Sequence, residues 1–289
     1  MVANVFCVVP VHNRVEITKR FLGFLSAQDY PALHVVVIDD GSTDGTADLL
    51  AQSSHLNLTV LRGDGTLWWG GALHMGMQWV SKMATDADYL LILNDDVRIE
   101  RNYVSTLVRE SVSLGGVVIG SAQHDEETGE VMDCGYHIDF WGMRFLPIEN
   151  GGTEGRPVDA LPTRGVLFPY VAVRHAGNVY SGLFPHYLVD LEYSSRVRER
   201  GWKLMVSRDA PVFTSPERSD EKIRARGWFM RRLSWRSRES LIQKLLFFSV
   251  RGPWPLRVVA MPRYFLVGGW RGLKSVLQKK TLGKPELGQ

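Results

Sequence analysis

Along the first 120 residues, unbroken apolar runs alternate with stretches whose apolar positions recur every three or four residues. Val5–Val11, Val35–Ile38, Leu58–Leu61, Tyr89–Leu93 and Val117–Gly120 are the runs. Short segments of this kind, rich in Val, Ile and Leu, predict strands buried on both faces. Between them, Val15–Ala27 carries Ile17, Phe21, Phe24 and Leu25 at helical spacing, and helices are predicted again at Gly45–Gln52, Ala72–Met83 and Asn102–Ser113. Alternation with short connections predicts parallel strands joined by right-handed crossovers, a doubly wound, mostly parallel α/β sheet flanked by helices.

In such a sheet ligands bind at the carboxyl ends of the strands. Each predicted end carries polar groups: Pro10-Val-His12-Asn13-Arg14, Asp39-Asp40-Gly-Ser-Thr-Asp-Gly45, Arg62-Gly-Asp64-Gly65 and Asn94-Asp95-Asp96. They are expected on one rim. Residues 121–165 are less regular, with short alternating pieces at Val131–Cys134 and His137–Trp141 that suggest hairpins. Leu188–Arg200 reads as a helix closed by Gly201, and Val206 as the start of another strand.

Adjacent carboxylates repel unless a cation relieves them. Oxygen-only ligation favours Mg2+ or Mn2+, which keep waters and take up phosphate oxygens. The Asn94-Asp95-Asp96 end therefore has the makings of a metal and phosphate site, and equally of a turn or helix cap. In the second acidic turn Thr43 or Asp44 suits a helix cap, whereas Asp39 and Asp40 precede it and can accept hydrogen bonds from a base or ribose. The segment 63–71 reads as a flexible loop, whose Trp68 and Trp69 either stack on a sugar or pack beneath it.

The set Val9-Pro-Val-His-Asn-Arg14, Ile38-Asp-Asp-Gly-Ser-Thr-Asp-Gly45, Leu93-Asn-Asp-Asp-Val97 and Val189-Asp-Leu-Glu-Tyr193, followed by Arg198-Glu-Arg-Gly-Trp202, resembles glycosyltransferase family 2, rhamnosyltransferase-like bacterial members included. The resemblance covers about residues 4–215. It implies a GT-A fold that binds a nucleotide-activated sugar with a divalent cation and transfers the sugar with inversion to a hydroxyl of a glycan or lipid-linked glycan. By position, Pro10, His12, Asn13, Arg14 and Asp39 would hold base and ribose, with Asp40 and Asp64 near them. Asn94 and Asp95 would lie by ribose and diphosphate, Asp96 would ligate the metal, and Asp190 would be the general base. Arg164 and Gly165 match the acceptor-side turn, where Gly165 would let backbone approach the donor sugar. Thr214 stands where many members carry a metal-ligating His. His186 and Glu192 are further substrate-binding candidates: His186 either contributes where that His is missing or is a polar loop residue, and Glu192, about 200° round the helix from Asp190, is the weaker candidate for the base and suits an ion pair. The implied organisation is a catalytic domain over 1–215, split into a nucleotide-binding half (1–120) and an acceptor-binding half (121–215), and a basic helical tail over 216–289.

Other readings narrow the choice. The glycines of a dinucleotide-binding fingerprint are missing after the first strand, which excludes a nicotinamide-dependent oxidoreductase. The non-enzymatic alternative is a module that binds a nucleotide sugar or polysaccharide without turnover. Cys7 and Cys134 give neither metal spacing nor a disulfide framework and predict buried thiols. No apolar run reaches the ~18 residues that cross a bilayer, nor does the N-terminus read as a signal peptide, so a cytoplasmic location is expected.

Charge changes the picture only at the C-terminal end. The total of +3 divides into 17 Lys+Arg against 26 Asp+Glu in residues 1–215, and 17 against 5 in residues 216–289. In the basic part Arg224–Arg236 mixes Arg with Trp and Phe, and Leu233, Leu241, Leu245 and Phe248 interleave with charge. That pattern favours an interfacial helix against an anionic membrane, at the cytoplasmic face, over nucleic-acid binding.

Overall fold

A computed structural model describes residues 2–53, 56–148, 157–207, 209–215 and 240–255. Its centre is a seven-stranded sheet built from β1 (Val5–Val11), β2 (Leu33–Asp39), β3 (Leu58–Arg62), β4 (Tyr89–Ile92), β6 (Val118–Gly120), β11 (Val166–Pro169) and β12 (Leu204–Val206), in the order β12-β6-β11-β4-β1-β2-β3. Every neighbouring pair is parallel except those of β11, which runs antiparallel to both β4 and β6.

The unbroken apolar runs are explained by two cores, one on each face. Val5, Cys7, Val9 and Val11 alternate with Phe6 and Val8, and the two sets bury in opposite layers. Val35 and Val37 against Val36 and Ile38, then Tyr89 and Leu91 against Leu90 and Ile92, repeat the division. One face is covered by α1 (Val15–Ser26), α2 (Thr46–Gln52) and α4 (Tyr103–Ser113), the other by α3 (Trp68–Val80), α5 (Tyr170–Ala176), α6 (Val189–Glu199) and α7 (Leu241–Arg251). Helix α3 lies close because Gly76 faces the sheet: a Cβ there would stand 2.7 Å from Val8 Cγ1 and 2.8 Å from Ile38 Cδ1.

Several expectations are corrected. Ile17 lies on the exposed side of α1, and Thr18 takes the buried position with Phe21, Leu22 and Leu25. Helix α3 starts at Trp68, so the presumed loop 63–71 ends inside a helix. Val206 ends a strand instead of starting one. The irregular region contains β7 (Gln123–Asp125), β8 (Val131–Asp133) and the hairpin of β9 (Tyr136–Asp139) with β10 (Arg144–Pro147); β13 (Val212–Thr214) joins β7 and β5 (Val97–Arg98) in a small second sheet. Both cysteines are buried thiols, and burial pushes the Cys7 pKa up.

The expected tail is corrected where it is described. Phe247 and Phe248 of α7 are fully buried, their rings against Phe145 of β10 and Phe140, so this face is spent on the core and is closed to a membrane. Structurally, the unit that began at β1 runs past residue 215 and includes α7. The Arg224–Arg236 stretch and Leu233 lie outside the described residues. Among the described residues no helix is long and apolar enough to cross a membrane.

Candidate active site

The strand ends do converge. His12 Nδ1 donates to the backbone oxygen of Asp40 at 2.6 Å, the Asn13 N–H donates to Ser42 Oγ at 2.9 Å, and Asn13 Oδ1 accepts from the Thr43 N–H at 2.7 Å. Asp44 accepts from the N–H groups of Val15 (2.9 Å) and Thr46 (3.1 Å), supplying orphan donors at the starts of both α1 and α2. Pro10 is the next-to-last residue of β1, beside Ile38. Buried Asp39 folds its own turn by accepting from the Ser42 N–H at 3.0 Å.

Asp40 has a structural task. Its Oδ1 accepts from the Gly65 N–H at 2.8 Å and its Oδ2 from the Trp68 N–H at 3.1 Å, so the carboxylate fastens the third loop and the start of α3. Both of its oxygens are engaged in holding that segment. Asp64, at the exposed tip, is bound into a local turn by the hydroxyl and N–H of Thr66, which hold its pKa below the usual carboxylate range.

Beyond β4 lies the acidic end. Asp95 is almost fully buried; its Oδ1 accepts from Arg14 Nη1 at 3.0 Å and its Oδ2 from Thr18 Oγ1 at 3.1 Å. Desolvation raises its pKa, opposed by the Arg14 charge and reinforced by that of Asp96. The same Arg14 Nη1 stands 3.4 Å from Asp96 Oδ2. Arg14 therefore reaches the acid pair. Asp96 Oδ1 and Asn94 Oδ1 are both buried without any hydrogen-bond partner. Buried polar atoms are nearly always satisfied, so these two oxygens, two residues apart just beyond β4, call for a partner outside the chain, water or ligand. Thr214 Oγ1 donates to the Asp96 backbone oxygen at 3.3 Å, fixing the turn on that side. Among the described residues no group of three His, Cys, Asp or Glu side chains gathers to hold a metal ion.

A short strap links this end to α6. The Gly165 N–H donates to the Ile92 oxygen at 3.1 Å, a Thr163 backbone hydrogen bond reaches Asp190, and the Leu161 N–H donates to Ser194 Oγ at 2.9 Å. Gly165 has φ +108°, and a Cβ there would collide with the Tyr103 hydroxyl. The left-handed backbone and the packing against Tyr103 each demand glycine here. Arg164 turns to Gln123, Nη1 to Oε1 at 3.4 Å.

Asp190 opens α6, half-buried, and accepts from the Leu191 N–H at 2.8 Å. Desolvation holds its carboxyl above the usual range, the nearby Asp133 charge adds to this, and backbone donors of Leu191, Asp190 and Thr163 work against it. Such a carboxylate is a better proton acceptor than an exposed one. Glu192 is removed from the substrate-binding set: it is fully buried and paired with Arg196, Nε to Oε1 and Nη2 to Oε2 both at 3.0 Å.

The two tryptophans part company. Trp69 packs against the core, whereas Trp68 meets His186 edge to face at 5.7 Å between ring centroids, bringing α3 to the loop that leads into α6. The Gly70 N–H donates to the Pro185 oxygen at 2.8 Å and locks that loop to α3. Four non-glycine residues among those described have left-handed backbones, and Asn13, Trp68 and Leu188 are three of them. Asn13 lies in the loop after β1, and Trp68 and Leu188 stand at the starts of α3 and α6. Such backbones cost about 1–3 kcal/mol each and persist where surroundings impose them, commonly at functional sites. Sequence reasoning missed Thr18 and Asp133. For Thr18 a signal exists: it is the polar residue at a core-facing position of α1.

Solved structures share this architecture. A mannosyltransferase from Pyrobaculum calidifontis, PcManGT, in complex with GDP-Man and Mn2+, superposes with a TM-score of 0.58 over 95% of this chain and 80% of its own, at 15% identity. S. aureus TarS gives 0.57 over 91% of this chain and 43% of its own, also at 15% identity. The fold is GT-A. In sequence, glycosyltransferase GlyA of Streptococcus pneumoniae is 26% identical over 106 residues, 36% of this chain and 14% of GlyA. This chain thus spans less than half of TarS and a small part of GlyA. The family model for glycosyl transferase family 2 matches residues 6–152, just over half of the chain, and the chain therefore belongs to that family.

Proposed function

We propose that this chain transfers a sugar, with inversion, from a nucleotide-activated donor to a hydroxyl of a glycan or lipid-linked glycan. The observation that carries the reading is the pair of buried, unpartnered oxygens, Asn94 Oδ1 and Asp96 Oδ1, at the end of β4 on the rim where the loops of β1, β2 and β3 meet. The donor set is all oxygen, one carboxylate and one neutral amide, which suits Mg2+ or Mn2+, ions that need few protein ligands because they retain waters and phosphate oxygens. Bound there, the cation would neutralise charge gained by the departing nucleoside diphosphate.

The residues of the chain supply the rest. Asp96 would hold the cation, Asn94 would accept a hydroxyl of the donor, and His12, Asn13 and Asp39 would line the base and ribose pocket. Trp68 and His186 would wall the sugar. Asp190 would take the proton from the acceptor hydroxyl as it attacks the face opposite the leaving group. A UDP- or dTDP-sugar is the proposed donor.

Purified protein with Mn2+ screened against nucleotide sugars, followed by thermal shift and nucleotide release, tests the reading. Asp96→Ala is expected to weaken donor binding in calorimetry by about tenfold or more. Equal affinity with and without chelator would reject the metal assignment.

The +12 charge of residues 216–289 supports peripheral contact with an anionic membrane. The full chain should sediment with anionic vesicles at low salt and leave them at high salt; sedimentation that ignores vesicle charge refutes the contact.

A further inference from the structure

Arg14 occupies the position where a cation is needed. Its backbone is fixed at the start of α1, where its oxygen accepts from the Thr18 N–H at 2.8 Å. One nitrogen, Nη1, serves both acids: 3.0 Å to Asp95 Oδ1 and 3.4 Å to Asp96 Oδ2. The two contacts are unequal. Asp95 is buried and has Thr18 on its other oxygen, whereas Asp96 is more exposed, at 29% of its side chain, and keeps Oδ1 without a partner. The long contact to Asp96 is the weaker one and the easier to give up. No hydrogen bond from Nε or Nη2 of Arg14 is formed among the described residues, and its side chain is 38% exposed, so a planar fork beside the two acids keeps free donors within reach of an anion.

We infer that Arg14 is a built-in stand-in for the divalent cation, which makes uptake of the ion conditional on the donor. With the site empty, the guanidinium offsets the repulsion between Asp95 and Asp96 and lowers the attraction of Asp96 for a free ion. A diphosphate offers Arg14 a bidentate partner. As the guanidinium turns from Asp96 to the phosphate oxygens, keeping Asp95, both oxygens of Asp96 become available. Ion and diphosphate therefore favour each other's binding, and the coupling passes through one side chain. The inference rests on Asp96 being the ion's ligand, as proposed above.

The experiment is Mn2+ titration of the full chain by calorimetry, alone and with inorganic pyrophosphate, in wild type, Arg14→Gln, Arg14→Lys and Asp96→Ala. Wild type should bind Mn2+ weakly alone and about tenfold or more tightly with pyrophosphate. Arg14→Gln should bind Mn2+ alone about tenfold better than wild type and lose most of the gain from pyrophosphate. Arg14→Lys keeps a charge for Asp95 but lacks the fork, and it should fall between the two; it carries the test if Arg14→Gln does not fold. Mn2+ affinity that is unchanged or weaker in Arg14→Gln, or in Arg14→Lys if only that variant folds, overturns the inference. Mn2+ affinity unchanged in Asp96→Ala overturns instead the reading on which it rests, a result distinct from the first.

Discussion

Replacing Asp190 by Asn should lower the rate of sugar transfer by about 10²–10⁴-fold and leave the donor's dissociation constant unchanged. Asn keeps the shape and can still accept from the Leu191 N–H, but it cannot take the acceptor's proton. The structure adds a second expectation, on stability. Desolvation raises the Asp190 pKa in the folded chain, so folding favours its neutral form. Ionising it costs stability as pH rises through the folded pKa, and that cost is absent in acid below the unfolded value. Asp190→Asn removes the cost, and its melting temperature at neutral pH should equal or exceed that of wild type. Loss of transfer without loss of stability separates a proton acceptor from a helix cap. A variant that transfers at near-normal rate moves the base elsewhere; one that loses donor binding makes Asp190 structural. Glu192, in its buried ion pair, is closed to the role.

Arg196→Met should have the largest effect on folding. Arg196 is 2% exposed, pairs with the fully buried Glu192, donates to the backbone oxygens of Ala176 (2.7 Å) and Asn178 (3.0 Å), and lies over the Tyr180 ring at 3.8 Å. Met fills much of the volume but leaves Glu192 buried with only Arg251 Nε, 3.5 Å away. Breaking a buried pair from one side costs about 3–5 kcal/mol. Urea denaturation should show that loss, and Glu192→Leu combined with Arg196→Met should recover much of it, because no charge is then stranded. A single-variant loss below about 1 kcal/mol would mean that water or Arg251 already satisfies Glu192.

The contrast between Asp190 and Glu192 shows what sequence could and could not reveal. The apolar runs placed β1 to β4 within a residue or two, because a strand buried on both faces leaves a signal in its own residues. The convergence of Asn13, Asp39 and Asp95 followed from strand direction alone. The roles of Asp40 and Gly165 did not: each is set by a partner distant in sequence, Trp68 in one case and Tyr103 in the other. Glu192 and Arg196 stand four apart on one helix, a spacing that equally suits an exposed surface pair. Only packing from α5 and α7 buries them. Antiparallel β11 was hidden similarly, since its direction depends on the irregular chain before it and not on Val166–Pro169.

The seating of Phe247 and Phe248 beneath the β9–β10 hairpin has a consequence for how this chain is made and handled. During synthesis every strand of the central sheet leaves the ribosome well before α7 does, so the nascent chain holds a nearly complete sheet whose Phe140 and Phe145 side lacks its cover. Such an intermediate presents apolar surface that invites association until residues 241–251 arrive. A fragment ended at residue 215 would keep that exposed state permanently and would also lack Arg251 beside Glu192. For expression, the boundary that respects the core falls after α7, even though the motifs proposed to bind the donor and take the proton all lie before residue 200.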